Sequence, residues 1–146
     1  MTYFKIFSLL ALLLFSAPSH AGQGAEIKVF KSPYCSCCTA WSEHLRENGF
    51  DVSEIKRDDM EAVKRQLGVP QQLESCHTAL IDGYVIEGHV PADDIKRLIK
   101  ERPKGAKGLS VPGMPIGSPG MEQGNHKDKY TTIIFGPEGM GAFARH

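Results

Sequence analysis

The chain has 146 residues, with 17 basic and 17 acidic side chains and 41% hydrophobic content. That length suits one compact domain, and the zero net charge excludes the basic footprint of a nucleic-acid or acidic-membrane binder. The unusual part is the soft-donor count of four cysteines, six histidines and five methionines, with Cys35, Cys37 and Cys38 crowded together.

Residues 1–21 read as an export signal: Lys5, then the apolar run Ile6 to Phe15, then Ser19-His20-Ala21 as a small-x-small cleavage site. The apolar run is too short to span a bilayer, and no cysteine follows for lipid anchoring. Residues 22–146 are then the exported chain, which loses one lysine and no acid and so carries a net charge of −1. Outside the cytosol thiols oxidise unless a metal or a reducing partner holds them. All four cysteines, Cys35, Cys37, Cys38 and Cys76, lie in the exported part.

Glu26 to Lys31 has strand character, with Ile27 and Val29 alternating against Lys28. Ser32-Pro33-Tyr34 breaks the strand and delivers Cys35-Ser36-Cys37-Cys38. A helix is expected from about Cys38 to Asn48, with Trp41 and Leu45 one turn apart and Gly49 as its stop. Phe50 to Lys56 is the next strand. Asp58, with Glu61 three residues on, resembles a carboxylate capping box, opening a helix that puts Met60, Val63 and Leu67 on one face and ends at Gly68.

After a short connector at Pro70 to Glu74, the segments Thr78 to Ile81 and Tyr84 to Glu87 flank Asp82-Gly83, a hairpin signal. Pro91 opens a further helix with Ile95, Leu98 and Ile99 as its apolar stripe, closed by Arg102-Pro103. The order β-α-β-α-β-β-α fits a single thioredoxin-like α/β domain. Residues 104–124 turn rich in Gly and Pro and are expected to form a loop without secondary structure. Residues 130–144 form an appended C-terminal hairpin turned by Gly136-Pro137-Glu138-Gly139.

The chemistry concentrates in three places. Cys35 and Cys38 form a C-x-x-C pair at a helix start, where backbone N–H groups and the helix dipole stabilise thiolate. Redox and metal sites share that motif. The intervening Cys37 favours metal, because a third thiol invites mispairing in an exchange enzyme whereas Cu(I) accepts extra thiolates. Cys76-His77 stands just before the third strand, which a thioredoxin-like sheet would bring beside the first β-α turn. The plainer reading is a disulfide from Cys76 to one of the other cysteines, with His77 solvated.

Met114 and Met121 sit in the Gly/Pro-rich loop as soft thioether donors or as a cap on the core. His89, before Pro91, is a surface residue, a helix-end partner or a ligand. His44 is too far along the first helix to share a metal easily with Cys37, and His126 and His146 lie in polar tail segments. Met60 and Trp41 have core spacing, with Trp41 walling the cysteines from water. Zinc is the rival metal, but C-x-C-C crowding departs from paired C-x-x-C knuckles. No G-x-S-x-G elbow, H-E-x-x-H helix or phosphate-cradling loop is present.

Four separated motifs resemble the CopG-type copper-resistance proteins of the bacterial periplasm. They are Lys31-Ser32-Pro33 through the C-x-C-C segment, Ser75-Cys76-His77-Thr78-Ala79, Gly83 to Pro91, and the Val111-Pro112-Gly113-Met114-Pro115 to Gly120-Met121 loop. The resemblance runs from about Ile27 to Glu122. It implies a thioredoxin-like domain that binds copper through its cysteines, holds several copper ions in one cluster and interconverts Cu(I) and Cu(II). Cys35, Cys37, Cys38 and Cys76 match the family's cysteine positions, and His77, His89, Met114 and Met121 its other motif residues. Copper ions and other periplasmic copper-handling proteins are the implied partners.

Ordinary thioredoxins carry a cis-proline just before the third strand; here Cys76-His77-Thr78 occupies that junction. Two other readings stay open: a periplasmic thiol–disulfide oxidoreductase using Cys35 and Cys38, and a disulfide-stapled interaction module.

Overall fold

Short alternating strands and amphipathic helices assemble in the expected order in a computed structural model that describes residues 24–146. The export signal assigned to residues 1–21 lies outside the described residues. Strand β1 (Glu26–Lys31), helix α1 (Ser36–Glu47), strand β2 (Asp51–Lys56) and helix α2 (Met60–Leu67) come first. A 3₁₀ turn (Gln71–Leu73) leads to β3 (Thr78–Ile81), β4 (Tyr84–Gly88) and α3 (Ala92–Glu101). Strands β5 (Gly108–Val111), β6 (Thr131–Gly136) and β7 (Gly139–Arg145) complete a single α/β domain.

All seven strands share one sheet in the order β2-β1-β3-β4-β5-β6-β7. β1 and β2 are parallel, as a strand–helix–strand crossover requires, while β3 runs antiparallel to both β1 and β4. This is the strand arrangement expected of a thioredoxin-like layer. It sets the Cys35 turn and the Cys76-His77 lead-in at the same end of neighbouring strands.

β5 corrects the sequence reading. Residues 104–124 are not a structureless loop, because Gly108–Val111 pairs parallel with β4 and antiparallel with β6. The tail hairpin is therefore a continuation of the main sheet. The strand escaped notice because Gly-Leu-Ser-Val is short and buried at all four positions, so it shows no polar alternation. Gly108 is required there: a Cβ would lie 1.8 Å from the Val85 carbonyl oxygen. The rest of the loop is closed by its own bonds, from Gly117 N to Met121 O at 2.9 Å and from Met121 N to Ser118 O at 2.8 Å. Asp128 accepts from Ile116 N at 2.9 Å.

The two sheet faces carry different cores. Ile27, Val29, Ala79, Ile81, Ile86, Leu109 and Val111 pack with Trp41 and Leu45 of α1 and Ile95 and Leu98 of α3. On the other face Val85 and Phe135 pack with Val69 and Leu73, and Leu67 of α2 closes on them. Trp41 is fully buried, as expected, and its Nε1–H donates to the Val90 carbonyl at 2.9 Å. Met60 is not core: it is half-buried and belongs to neither cluster. Lys64 is the buried residue of α2 instead. The cap of α2 is Asp59, which accepts from Ala62 N at 2.8 Å, one residue after the expected Asp58.

Candidate metal centre

The N-terminus of α1 and the segment before β3 converge on one group of sulfurs. Cys35 is the N-cap of α1, its Sγ accepting from Cys38 N at 3.3 Å. The sulfurs of Cys35, Cys37, Cys38 and Cys76 all lie within 4.8 Å of one another. Cys35 and Cys38 are joined as a disulfide, whereas Cys37 and Cys76 are free thiols. Cys37 Sγ is 3.4 Å from Cys35 Sγ and 3.9 Å from Cys76 Sγ. The plainer expectation of a Cys76 disulfide with a solvated His77 does not hold, since Cys76 is free and His77 is fully buried.

Cys76 also belongs to a second donor group with His77 and His89. Its sulfur lies 3.2 Å from His77 Nδ1 and 3.0 Å from His89 Nε2. His89 Nδ1 faces the Pro119 carbonyl at 2.8 Å. A carbonyl only accepts, so Nδ1 carries the hydrogen and Nε2 presents its lone pair to Cys76. This is how a metal-ligating histidine is oriented, and here the orienting group comes from the Gly/Pro-rich loop.

The electrostatics hold the second group neutral. Burial, with the neighbouring Cys37, pushes the Cys76 thiol up to about 12. Burial also lowers His89, and it holds His77 well below the usual imidazole range with help from His89 and Lys64. His77 Nε2 has no hydrogen-bond partner among the described residues, and its ring stands 4.3 Å from Trp41 and 4.9 Å from His89. Neutral imidazoles are the form a soft metal engages, whereas the Cys76 thiol ligates only as thiolate, after the metal has displaced its proton.

Gly120 brings the loop down onto this centre. Its φ of +82° favours glycine, and a Cβ there would lie 2.7 Å from Trp41 N and 2.8 Å from Cys37 O. Met114 and Met121 line an open groove over Cys37 together with Ser36, Ala40 and Glu122. Ser75 Oγ donates to the Gly113 carbonyl and ties the same loop to the Cys76 segment.

Among the described residues, His44, His126 and His146 stand apart from the sulfurs. His44 Nε2 accepts from Ala92 N at 3.2 Å and so caps α3, whose N-cap residue Pro91 supplies no side-chain bond. His126 pairs with Asp128 at 3.1 Å on the surface, and His146 bonds Asp94 at 3.0 Å and Thr132 at 3.2 Å. The sequence reading missed the His44 cap, the Pro119 carbonyl and a buried pair of Lys64 with Glu87. Burial raises the Glu87 carboxyl, while Lys64, Thr78 and Ser75 bonds oppose that shift. A lone acid within the apolar run of β4 was the available signal for it.

A family model described as "Protein of unknown function, DUF411" matches residues 73–121, the stretch that holds Cys76, His77, His89, Met114 and Met121. Comparison with curated proteins finds no match. Among solved structures, copper resistance protein CopG in Form 2 superposes with a TM-score of 0.80 at 44% identity, covering 84% of this chain and 98% of that one. Form 1 gives a TM-score of 0.79 with the same identity and coverage. By identity and coverage together, this chain belongs to the CopG family of copper resistance proteins.

Proposed function

We propose that this protein is exported to the periplasm and binds copper there as part of copper resistance, holding Cu(I) in a multinuclear site. Cys35, Cys37, Cys38 and Cys76 supply thiolates, His77 and His89 supply nitrogens, and Met114 and Met121 stand at the entrance. The observation that carries this reading is that Cys76 belongs to both donor groups, within reach of three sulfurs and two imidazoles. One sulfur common to two groups suits a thiolate shared by neighbouring metal ions.

The donor chemistry supports copper, and the thioethers of Met114 and Met121 at the groove favour it over zinc. Thiolates and thioethers favour Cu(I), and imidazole also serves Cu(II), so the mixed set suits a site that interconverts the two. The 44% identity to proteins named for copper resistance supports the same choice. Among the described residues no helix is long and apolar enough to cross a membrane. The open groove over Cys37 is the route by which copper would pass to other periplasmic copper-handling proteins.

A thiol–disulfide oxidoreductase is the second reading, favoured by the Cys35–Cys38 disulfide at a helix N-terminus. One experiment separates the two. The reduced protein is titrated with Cu(I) against the chelator bicinchoninate, and turnover of a model disulfide is followed with Cys37 and Cys76 replaced by serine. Copper uptake of more than one ion per chain with no such turnover is expected. Rapid turnover in the doubly substituted protein, with copper left on the chelator, overturns the copper reading.

A further inference from the structure

Behind Cys76 and His77 lies a buried charged network that contributes no donor to the metal centre. Glu87 of β4 is fully enclosed, and Lys64 of α2 is nearly so. The Glu87 carboxylate accepts from Lys64 Nζ, from Ser75 N at 2.7 Å and from Thr78 Oγ1 at 2.6 Å. Lys64 Nζ donates to Thr78 Oγ1 as well, at 3.1 Å. Ser75 and Thr78 are the residues on either side of Cys76-His77, so one carboxylate grips both ends of that dipeptide. Gly88 N donates to the His77 carbonyl at 2.9 Å and makes a third tie. Gly88 has φ of +70°, and a Cβ there would meet Ser75 Oγ at 2.5 Å.

A buried ion pair is poor evidence for stability, because well-packed apolar residues of similar volume often serve as well or better. What apolar residues cannot do is hold a backbone N–H and a hydroxyl three positions apart in fixed places. We propose that Glu87, anchored by Lys64, is a positioning residue that fixes the Cys76-His77 dipeptide so that Cys76 Sγ meets His77 Nδ1 and His89 Nε2. Its consequence for copper rests on the function proposed above; its consequence for the metal-free thiols does not.

The test compares wild type with K64M/E87Q and T78V, all as reduced full-length protein. The amide that E87Q introduces retains an acceptor for Ser75 N and an N–H for Thr78 Oγ1, but the ionic anchor to α2 is lost. Without metal, alkylation of Cys76 by iodoacetamide, followed by mass spectrometry, is expected to quicken several-fold in K64M/E87Q while Cys37 is unchanged. Cu(I) affinity against bicinchoninate should fall about tenfold, the scale on which supporting contacts act in metal sites. T78V should shift both readings the same way by less.

Equal rates relative to wild type, or equal acceleration of both cysteines, overturns the positioning role. If K64M/E87Q does not fold, T78V decides alone, and an unchanged Cys76-to-Cys37 ratio there overturns it. A wild type that takes up no Cu(I) defeats the copper reading, while the alkylation ratio still decides the positioning claim.

Discussion

The two cysteine-bearing segments of the centre are built on opposite physical terms. The Cys35 turn is a helix N-terminus with Cys35 and Cys37 half-buried, a closed disulfide and an open groove over Cys37. The Cys76 segment is walled by Trp41, held by backbone and carboxylate bonds, and flanked by two buried imidazoles whose neutral forms are favoured. The first carries the covalent bond that reduction opens. The second is fixed in advance and keeps its donors uncharged until something replaces the proton on Cys76. A site that accepts a soft cation gains from both properties, one for entry and one for fixed geometry.

Removing the sulfur common to both segments should erase the distinction. Cys76→Ser is expected to abolish copper uptake in a folded protein, whereas Cys37→Ser should leave partial uptake; titration against bicinchoninate with circular dichroism checks both. Retained wild-type uptake in Cys76→Ser would show that the segments work separately.

The next largest effect concerns the disulfide. With Cys35 and Cys38 tied, Cys37 and Cys76 are the only thiols left beside His77, His89, Met114 and Met121, so the oxidised protein should take up fewer copper ions than the reduced one. Metal analysis after loading each form measures the difference. His89→Ala should weaken Cu(I) binding about 10- to 100-fold while leaving thiol number unchanged, because it removes a nitrogen already oriented by the Pro119 carbonyl.

The pH dependence of the metal-free protein with its Cys35–Cys38 disulfide intact tests the buried segment, to which His44 adds in acid and Tyr130 in alkali. His77 ionises far below 6.5 in the native state, so the unfolded chain binds that proton first and stability falls as pH drops below about 6.5. Cys76 ionises at about 12 rather than 9.0, so above about pH 9 the unfolded chain loses its proton first and stability falls again. Denaturant midpoints at acidic, neutral and alkaline pH should therefore peak near neutrality. The smallest effect is expected at His44, whose cap on α3 is worth about 1 kcal/mol. His44→Ala should lower the denaturant midpoint and leave copper affinity untouched.

The first half of the fold was legible because its elements carry their own periodicity and stops. Ile27 and Val29 alternate, Gly49 and Gly68 end helices in the left-handed region, and Asp82-Gly83 turns the hairpin. β5 was not, because a four-residue strand buried on both faces has no polar face to alternate with. The cysteines announced themselves by crowding, and the loop motif placed the methionines near them. The roles of His44, Pro119 and Glu87 depend on contacts across 48, 30 and 12 positions, which no local pattern encodes. Backbone carbonyls in particular carry no residue signature at all.

The central claim is that two distant segments make one copper site. Cysteine protection during Cu(I) loading of the reduced wild type tests it most directly, with each cysteine's alkylation followed by mass spectrometry. The account predicts that Cys35, Cys37, Cys38 and Cys76 become protected together as copper is added. Protection of the three turn cysteines with Cys76 still fully alkylated would contradict it.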